Sequence, residues 1–183
     1  MPQLHPNQNF LNDYFGNTWK GSFQDYTYSG YALLKHVTRN HRVLDVGCGD
    51  NPFKGKLPNL VGVDPANKNA DVMTEIENYQ TEQKFDVAFC LGSINFGTDD
   101  IVEAQIAKVV SLLTPCARIF WRCNPGQQDH DSELCKQIDF YPWTFEKQIE
   151  LADKFGFKIV ELRMDSNGKH DRIYSEWQRI FSE

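Results

Sequence analysis

The sequence predicts an α/β fold with a mostly parallel β-sheet that is covered by helices on both faces. Short apolar runs alternate with amphipathic helical segments, and this alternation is typical of strand–helix–strand units. The last two apolar runs are joined by Asn167-Gly168, a dipeptide that favours a hairpin turn. One antiparallel strand is therefore expected in an otherwise parallel sheet.

The apolar runs indicate where the strands lie. The predicted strands span residues 42–46, 59–64, 85–92, 117–123, 157–164 and 172–181. A further strand is expected near residues 70–73, within the stretch 65–84 where the pattern is weakest. Strands this apolar are typical of a sheet buried between two layers of helices.

Three helices follow from periodicity and from residues suited to helix ends. They are predicted at residues 29–40, 100–113 and 144–155. Ser29 is the expected N-cap of the first helix, and Asp100 with Glu103 forms a capping box for the second. Thr144 is the expected N-cap of the third helix, which Gly156 ends.

The N-terminal segment, residues 10–31, is unusually aromatic. Four of its aromatic residues fall at helical spacing, although two glycines weaken a continuous helix: Phe15, Trp19, Phe23 and Tyr26, with Gly16 and Gly21. We expect a single domain, residues 1–183, in which residues 1–40 cover a site on the core formed by residues 41–183. Packing against the sheet edge is the alternative role for this segment.

Composition narrows the classes of function. The formal net charge is −6, which argues against a nucleic-acid or anionic-membrane partner, because phosphates are met by clustered Lys and Arg. No apolar run approaches the ~20 residues that cross a bilayer. The start, MPQLHPNQNF, lacks the basic and apolar regions of a secretory signal.

The cysteines and histidines predict a reducing compartment and no metal. The five cysteines are odd in number, widely spaced and without a CxxC pair, which favours reduced thiols in a cytoplasm. The five histidines form no metal-ligand pattern with them, so no structural zinc is expected.

A glycine-containing loop follows the first predicted strand, in the stretch VLDVGCGDNPF at residues 43–53. Ligands of open parallel sheets bind beyond the carboxyl ends of the strands, which is where this loop lies. Gly47 and Gly49 permit a positive φ and a close approach of the backbone to a ligand, and Asn51 tolerates a left-handed conformation. The alternative is an ordinary strand-to-helix turn.

An acid at the end of the second strand complements the loop. Asp64 follows Gly49 by fifteen residues and is able to accept hydrogen bonds from both hydroxyls of a ribose. Its alternative role is a solvated strand end or a helix cap. Loop and acid together predict a nucleoside-containing cofactor.

The loop disfavours a dinucleotide. A G-x-G-x-x-G fingerprint needs a third glycine where this chain has Pro52. Asp50 also puts an anion where a pyrophosphate would lie. A phosphate-free cofactor that carries a sulfonium and an amino-acid zwitterion fits the loop better.

At this point the sequence resembles the class I S-adenosylmethionine-dependent methyltransferases over roughly residues 30–181. The motifs that resemble the family are VLDVGCGDNP, VGVDP, KFDVAFCLGSINF and LLTPCARIFW. The resemblance implies a Rossmann-like, doubly wound sheet of seven strands with the last one antiparallel, S-adenosyl-L-methionine as cofactor, and transfer of a methyl group. Two departures are Asn51 in place of the third loop glycine and Pro115-Cys116-Ala117 in place of Pro-Gly-Gly.

The resemblance also implies roles for individual residues. Those implied to surround the methionine part of the cofactor are Asp45, Gly47, Cys48 and Gly49. Asp64 would hold the ribose hydroxyls and Pro65 would lie beside the adenine, whose edge Glu75 and Ile76 would recognise. Backbone carbonyls of Cys90, Leu91 and Gly92 would face the ammonium group. The alternative, purely structural roles are that Asp45 caps nearby N–H groups and that Cys48 and Cys90 are small buried residues.

Residues after the fourth and fifth strands of that family pattern are the candidates for the acceptor side. The expected substrate-binding residues are Ser93, Asn95, Phe96, Arg122 and Asn124, with Ile94 among them. Asn95 could orient the acceptor, and His130 could serve as a base because histidine titrates near neutrality. A solvated loop side chain is the alternative for both.

The predicted function is therefore methyl transfer to an unidentified acceptor, a small molecule or a protein. The first alternative is a non-catalytic S-adenosylmethionine-binding or interaction protein on the same fold. A NAD-dependent oxidoreductase is disfavoured by Asp50 and Pro52. A nucleic-acid methyltransferase is disfavoured by the acidic charge.

Overall fold

A six-stranded sheet forms the centre of the computed structural model, which describes residues 5–20, 26–127 and 133–180. The strands are β1 (Val43–Val46), β2 (Leu60–Val63), β3 (Phe85–Leu91), β4 (Leu113–Cys123), β5 (Phe157–Ser166) and β6 (Asp171–Arg179). Their order is β2-β1-β3-β4-β6-β5, in which β1 to β4 are parallel and β6 runs antiparallel to both of its neighbours. The predicted α/β class and the C-terminal hairpin are both confirmed.

The expected seventh strand does not form, so the predicted strand count is wrong. The stretch near residues 70–73 makes a single parallel bridge, between Val63 and Val72. The carboxylate of Asp71 accepts the N–H of Gly62 at 2.9 Å, and Lys54 pairs with the same side chain at 2.7 Å. The side chain of Asp71 thus takes the backbone N–H of Gly62, which a longer neighbouring strand would bond with a carbonyl, so strand pairing with β2 ends there.

Two α-helices lie close to the predicted segments, α2 (Asp99–Ser111) and α3 (Phe145–Lys154). A third, α1 (Gln8–Asp13), was not predicted, and it runs on into a π-helical turn at Tyr14–Thr18. α3 begins as predicted, because the hydroxyl of Thr144 accepts the N–H of Lys147 at 3.1 Å. Gly156 follows the helix with a φ of 79°. No helix among the described residues is both long and apolar enough to cross a membrane.

Two predicted N-caps do not form, because Asp100 lies inside α2 and the hydroxyl of Ser29 bonds to a tertiary partner. α2 begins at Asp99, one residue earlier than expected, and Thr98 at its N-cap makes no side-chain capping bond. The hydroxyl of Tyr141 donates to Asp99 at 2.6 Å. The segment predicted as helix 29–40 is a 3-10 helix, Gly30–His36, and Ser29 donates its hydroxyl to Asp165 at 2.7 Å instead of capping it.

Apolar side chains cover both faces of the sheet, as the sequence predicts. One face packs against α2 and α3 and contains the buried rings of Trp121, Trp143 and Trp177. The 3-10 helix lies over the other face, where Leu33 and Phe120 share a cluster. Each fully buried large side chain contributes ~1.5–3 kcal/mol. This packing fixes the carboxyl ends of β1 to β4 at one edge of the sheet.

Candidate active site

A cavity of about 980 Å³ lies along that edge. Its walls come from the loop after β1, the residues after β2 and β3, the end of β4, the N-terminal segment and the start of β6. Ligands of open α/β sheets bind at this edge. The volume lies at the upper end of the ~300–1,000 Å³ of typical ligand pockets, so it has room for a cofactor together with a small second molecule.

The loop after β1 has three residues in the left-handed region. Gly47, Gly49 and Asn51 have φ values of 62°, 53° and 55°. The expectation for Asn51 is confirmed, and its side-chain amide donates to the carbonyl of Asn69 and to Asp71, both at 3.1 Å. The loop is therefore tied to the segment after β2 by a side chain that a glycine would lack.

The two glycines have different neighbours. A Cβ on Gly47 would lie 2.3 Å from the Cβ of Ser93, so position 47 must lack a side chain for the two loops to pack. A Cβ on Gly49 would meet no atom within 4 Å. Only Gly49 therefore leaves open space at the cavity for a ligand to approach the backbone.

Asp64 and Gly49 face each other across the loop. The N–H of Gly49 donates to Oδ2 of Asp64 at 2.9 Å. Oδ1 accepts the N–H groups of Ala66 at 2.9 Å and of Asn67 at 2.8 Å. The carboxylate lines the cavity and is held by three backbone donors, and each carboxylate oxygen has about two acceptor sites. At least one acceptor site thus remains for a ligand.

Asp45 is an acid buried in the cavity wall. Its side chain belongs to a residue that is only 3% exposed, and its Oδ2 has no hydrogen-bond partner. Burial raises the pKa of Asp45 from 3.8 to about 8, and the nearby Arg122 opposes this rise only in part. A buried acceptor without a donor is costly, so this oxygen is suited to a ligand that brings one.

Arg122 is a cation held in the same wall by several contacts. Its Nη2 donates to the carbonyl of Leu91 at 3.2 Å, and its Nη1 donates to the hydroxyl of Ser29 at 3.4 Å. The guanidinium lies 4.4 Å from the ring centre of Tyr26. Burial lowers the pKa of Arg122, but an arginine stays protonated in proteins. The residue is 8% exposed, so its charge is fixed in position.

Most of the other residues implied for the cofactor also line the cavity. These are Cys48, Pro65, Glu75, Ile76, Leu91 and Gly92. Cys90 is different, because it is buried in the core and does not line the cavity. Burial raises the pKa of the Cys48 thiol, which is the opposite of what a nucleophilic thiolate needs.

The residues expected on the acceptor side are brought together, but Asn95 and Asn124, like Arg122, have structural partners. Ser93, Ile94 and Phe96 line the cavity with Asn95 and Asn124. Oδ1 of Asn95 accepts the backbone N–H of Asn124 at 3.1 Å, which joins the ends of β3 and β4. The side chain of Asn124 bonds the backbone of Gln127 at 2.7 and 3.1 Å. His130 lies outside the described residues.

Aromatic rings from the N-terminal segment pack against the acceptor side. The ring of Phe15 lies 5.3 Å from that of Phe96 and 5.7 Å from that of Trp19. Phe96 in turn lies 5.6 Å from Phe140. Leu11 and Tyr26 of the same segment also line the cavity, and Phe23 lies outside the described residues.

Sequence reasoning missed the part of the site built by the β5–β6 hairpin. Asp165, at 1% exposure, accepts the N–H groups of Thr27, Tyr28 and Ser29 and the hydroxyl of Ser29, at 2.7 to 3.1 Å. Lys169 and Arg172 line the cavity. The predicted hairpin was the available signal, because an antiparallel last strand begins at the edge where the parallel strands end.

The comparisons with known proteins rest on structure. Neither a scan against protein-family models nor a search of curated proteins found a match. One similar structure is a 1,6-didemethyltoxoflavin-N1-methyltransferase from Burkholderia thailandensis, which has 1,6-didemethyltoxoflavin and S-adenosylhomocysteine bound. Its TM-score is 0.74 at 16% sequence identity, and the alignment covers 99% of this chain and 93% of that protein.

Two further solved structures have the same fold. A magnesium protoporphyrin IX methyltransferase from Synechocystis with bound S-adenosylmethionine has a TM-score of 0.69 at 15% identity, over 98% of this chain and all of its own (100%). An N-methyltransferase from Bradyrhizobium japonicum with S-adenosylhomocysteine has a TM-score of 0.56 at 15% identity, over 76% of this chain and 78% of its own. The chain therefore has the Rossmann-like fold of the S-adenosylmethionine-dependent methyltransferases.

Proposed function

We propose that this chain is an S-adenosyl-L-methionine-dependent methyltransferase that acts on a small-molecule or protein acceptor. The observation that supports this most directly is the pairing of Asp64 with the N–H of Gly49 at 2.9 Å, beside a cavity into which Gly49 projects no side chain. A carboxylate held in this way keeps an acceptor site for a ribose hydroxyl, and the bare backbone admits the rest of the ligand.

The described residues fit this cofactor at four points. Asp64 is suited to the ribose hydroxyls, and the open space beside Gly49 admits the methionine part. The partnerless Oδ2 of Asp45 is suited to an ammonium donor. We assign the adenine to Pro65 and the pair Glu75 and Ile76, which line the same cavity. At each point the cofactor would occupy open space or bond to a polar atom of the cavity wall.

The charge of the loop supports this cofactor over a dinucleotide. Asp50 lines the cavity and accepts a hydrogen bond from Asn67 at 2.9 Å, which orients the acid. A pyrophosphate near this loop would be repelled by Asp50 and Asp64. A cofactor that brings a sulfonium and an ammonium would be attracted by the same two acids.

Methyl transfer from a sulfonium depends more on the positioning of the two reactants than on a catalytic side chain. When bound, S-adenosylmethionine supplies a methyl group already activated by the sulfonium. The residues of this chain hold and orient the two reactants and exclude water, and orientation alone lowers a barrier by ~7–11 kcal/mol. A base is needed only for an acceptor that arrives protonated, and Asn95 and His130 remain sequence-based candidates for the catalytic step.

The proposal also covers the domain organisation of the chain and the cellular compartment in which it works. We infer a single domain in which the N-terminal segment covers the site, which is supported by the contact between Phe15 and Phe96. A reducing compartment such as the cytoplasm is supported by the five cysteines, all of them within the described residues, which form no disulfide with one another.

Calorimetry with S-adenosylmethionine and S-adenosylhomocysteine tests the cofactor assignment. We expect both to bind the native protein, and Asp64→Ala to lose ~1.5–3 kcal/mol of binding free energy, the range for hydrogen bonds to a charged group. Asp71→Ala is the matched control, because Asp71 also supports the loop, through Gly62 and Asn51, but does not line the cavity. Unchanged affinity in a folded Asp64→Ala protein would remove Asp64 from its role.

Turnover distinguishes an enzyme from a binding protein on the same fold. We expect S-adenosylhomocysteine to accumulate when the protein is incubated with S-adenosylmethionine and a broad panel of acceptors. Tight cofactor binding without product over that panel would favour the non-catalytic alternative.

A further inference from the structure

A third apolar cluster, separate from the two that cover the sheet, forms the acceptor side of the cavity. It joins the N-terminal segment to the residues before α3 through four buried side chains, Leu11, Tyr14, Cys135 and Ile138. Phe15, Phe96 and Phe140 pack against this cluster and line the cavity. This end of the cavity is therefore walled by aromatic residues.

The three phenylalanine rings form one continuous surface. The ring centre of Phe96 lies 5.3 Å from that of Phe15 and 5.6 Å from that of Phe140. A backbone bridge between Phe96 and Phe140 joins their two segments. All three residues are only partly buried by the protein, so they leave apolar surface for a ligand. Aromatic rings favour a flat ligand ring, through offset or edge-on contacts.

His5 lies in the same wall and is held in one orientation. The residue is only 7% exposed, and it lines the cavity. Its Nδ1 accepts the N–H of Asn7 at 3.0 Å, and its carbonyl accepts the N–H of Gln8 at 3.0 Å. A ring nitrogen that accepts a hydrogen bond carries no proton, so the proton of the neutral imidazole is assigned to Nε2.

Gly97 makes room for the imidazole next to Phe96. A Cβ at position 97 would lie 2.8 Å from Cδ2 of His5 and 3.4 Å from its Nε2. The N–H of Gly97 donates to the carbonyl of Asp139 at 3.1 Å, one residue before Phe140. His5 therefore lies at the same end of the cavity as the rings of Phe96 and Phe140.

The Nε2–H group of His5 is a buried donor that a ligand could satisfy. Among the described residues, Nε2 has no hydrogen-bond partner. Burial lowers the pKa of His5, and the nearby Asp139 opposes this only in part, so the ring is neutral at pH 7. Because Nδ1 is engaged, the neutral ring donates from Nε2 and cannot take a proton there. His5 is thus suited to holding an acceptor atom and unsuited to acting as a base.

From this juxtaposition, and resting on the proposed function, we infer that the methyl acceptor is a planar ring compound with a carbonyl oxygen or a ring nitrogen at its edge. Its ring packs against Phe15, Phe96 and Phe140, and the Nε2–H of His5 donates to the edge atom. The rings select the shape of the acceptor. The hydrogen bond fixes its orientation relative to the methyl group, which in-line transfer requires.

Ligand-observed NMR titrations on protein saturated with S-adenosylhomocysteine test the inference with matched probes. The parent probe is acetophenone. In α-methylstyrene a methylene group replaces the carbonyl oxygen, and in cyclohexyl methyl ketone a saturated ring replaces the flat one. We expect acetophenone to bind at least about fivefold more tightly than α-methylstyrene, the effect of one hydrogen bond. It should bind at least about threefold more tightly than cyclohexyl methyl ketone, the effect of one aromatic contact.

Two substitutions of His5 separate the roles of its two nitrogens. His5→Asn keeps an acceptor in place of Nδ1 for the N–H of Asn7 but removes the donor, so the preference for acetophenone over α-methylstyrene should disappear. His5→Gln places an amide donor near the position of Nε2, so it should retain at least about a twofold preference.

His41→Asn is the matched control. Nδ1 of His41 also accepts a backbone N–H, that of Thr38 at 3.1 Å, but His41 does not line the cavity. This variant should keep the full preference. Binding of S-adenosylhomocysteine checks that each variant is folded.

The outcomes separate this inference from the proposed function. In a protein that binds S-adenosylhomocysteine, the acceptor inference alone is overturned if acetophenone fails to bind at millimolar concentration, or binds no more tightly than either of the other two probes. A preference that survives His5→Asn, or that is lost in full in His5→Gln, also overturns it. Failure of the native protein to bind S-adenosylhomocysteine overturns the cofactor assignment, and the acceptor inference falls with it.

Discussion

Gly47 and Ser93 approach so closely that a Cβ on Gly47 would fall 2.3 Å from the Cβ of Ser93. Gly49, two residues later, has a similar left-handed backbone, yet a Cβ there would meet no atom within 4 Å. The first glycine is thus required by the packing of one loop on another. The second faces space that we assign to the cofactor. Alanine at the two positions should therefore have different consequences.

Gly47→Ala should destabilise the fold by about 2–5 kcal/mol. Left-handed backbone costs an alanine ~1–2 kcal/mol, and overpacking costs a further ~1–3 kcal/mol. Denaturant unfolding measures the loss. Gly55→Ala is the control, because Gly55 also has a positive φ, of 78°, but has open space around it, so only the backbone cost applies. Equal losses in the two variants would contradict the packing role of Gly47.

Gly49→Ala should fold with a loss of only ~1–2 kcal/mol, the backbone cost, because its new Cβ meets no protein atom. The same Cβ enters the space that we assign to the cofactor. We expect the affinity for S-adenosylhomocysteine to fall at least about tenfold, equivalent to ~1.4 kcal/mol, as measured by calorimetry. Gly55→Ala should bind normally, and a Gly49→Ala protein of native affinity would show that the cofactor lies elsewhere.

Asp45→Asn should make the protein more stable at pH 8 and less able to bind the cofactor. Burial raises the pKa of Asp45 from 3.8 to about 8, so the folded state holds a proton that the unfolded state releases above about pH 4. The stability associated with that proton is present below pH 4 and is lost as the pH rises through 8. At ~1.4 kcal/mol per pKa unit, the stability gained by the variant should grow to as much as about 5 kcal/mol.

Unfolding of both proteins between pH 5 and pH 8 checks this dependence. The difference in stability between Asp45→Asn and the native protein should increase steadily with pH. A difference that is independent of pH would mean that Asp45 is ionised in the folded protein throughout this range.

Asp165→Ala should loosen the attachment of residues 27–29 to the hairpin. The N–H and hydroxyl of Ser29 are buried donors, and each buried donor left without an acceptor costs ~1–3 kcal/mol, so a loss of about 2–6 kcal/mol is expected. Ser29→Ala keeps the three N–H bonds to Asp165 and removes the hydroxyl, with its bond to Asp165 and its long contact with Arg122, and should cost ~1 kcal/mol. Hydrogen exchange reports on the site directly, because the amides of Thr27, Tyr28 and Ser29 should lose protection in Asp165→Ala. Retained protection would show that other contacts hold the segment.

The parts of the fold that were predicted correctly depend on residues close together in the chain. The runs of β1 and β3 are buried because they carry apolar residues on both faces, with Asp45 and Asp86 as the exceptions. Asn51 takes the left-handed conformation that its side chain tolerates, and Thr144 caps α3 through a residue three positions away. Such features follow from local sterics and hydrogen bonding, which the sequence contains directly.

The parts that were missed depend on partners distant in the chain. Ser29 is bound by Asp165, 136 residues away, and so does not cap the helix that follows it. α2 begins one residue before the predicted cap Asp100, at Asp99, which is bound by Tyr141, 42 residues away. The missing seventh strand has a similar cause, because the side chain of Asp71 takes a backbone donor of β2. Each of these side chains could form a hydrogen bond to a residue nearby in the chain, but in the folded protein its partner is a distant one.

The sequence by itself determined the α/β class, the hairpin and the loop with its acid, since burial of apolar runs and the backbone freedom of glycine are properties of the residues themselves. Tertiary structure alone decided that Gly47 serves packing while Gly49 faces open space, that Asp45 has a partnerless oxygen, and that Arg122 and Arg172 share one wall. These features arise from the closeness of separate strands and loops, which no single stretch of residues specifies.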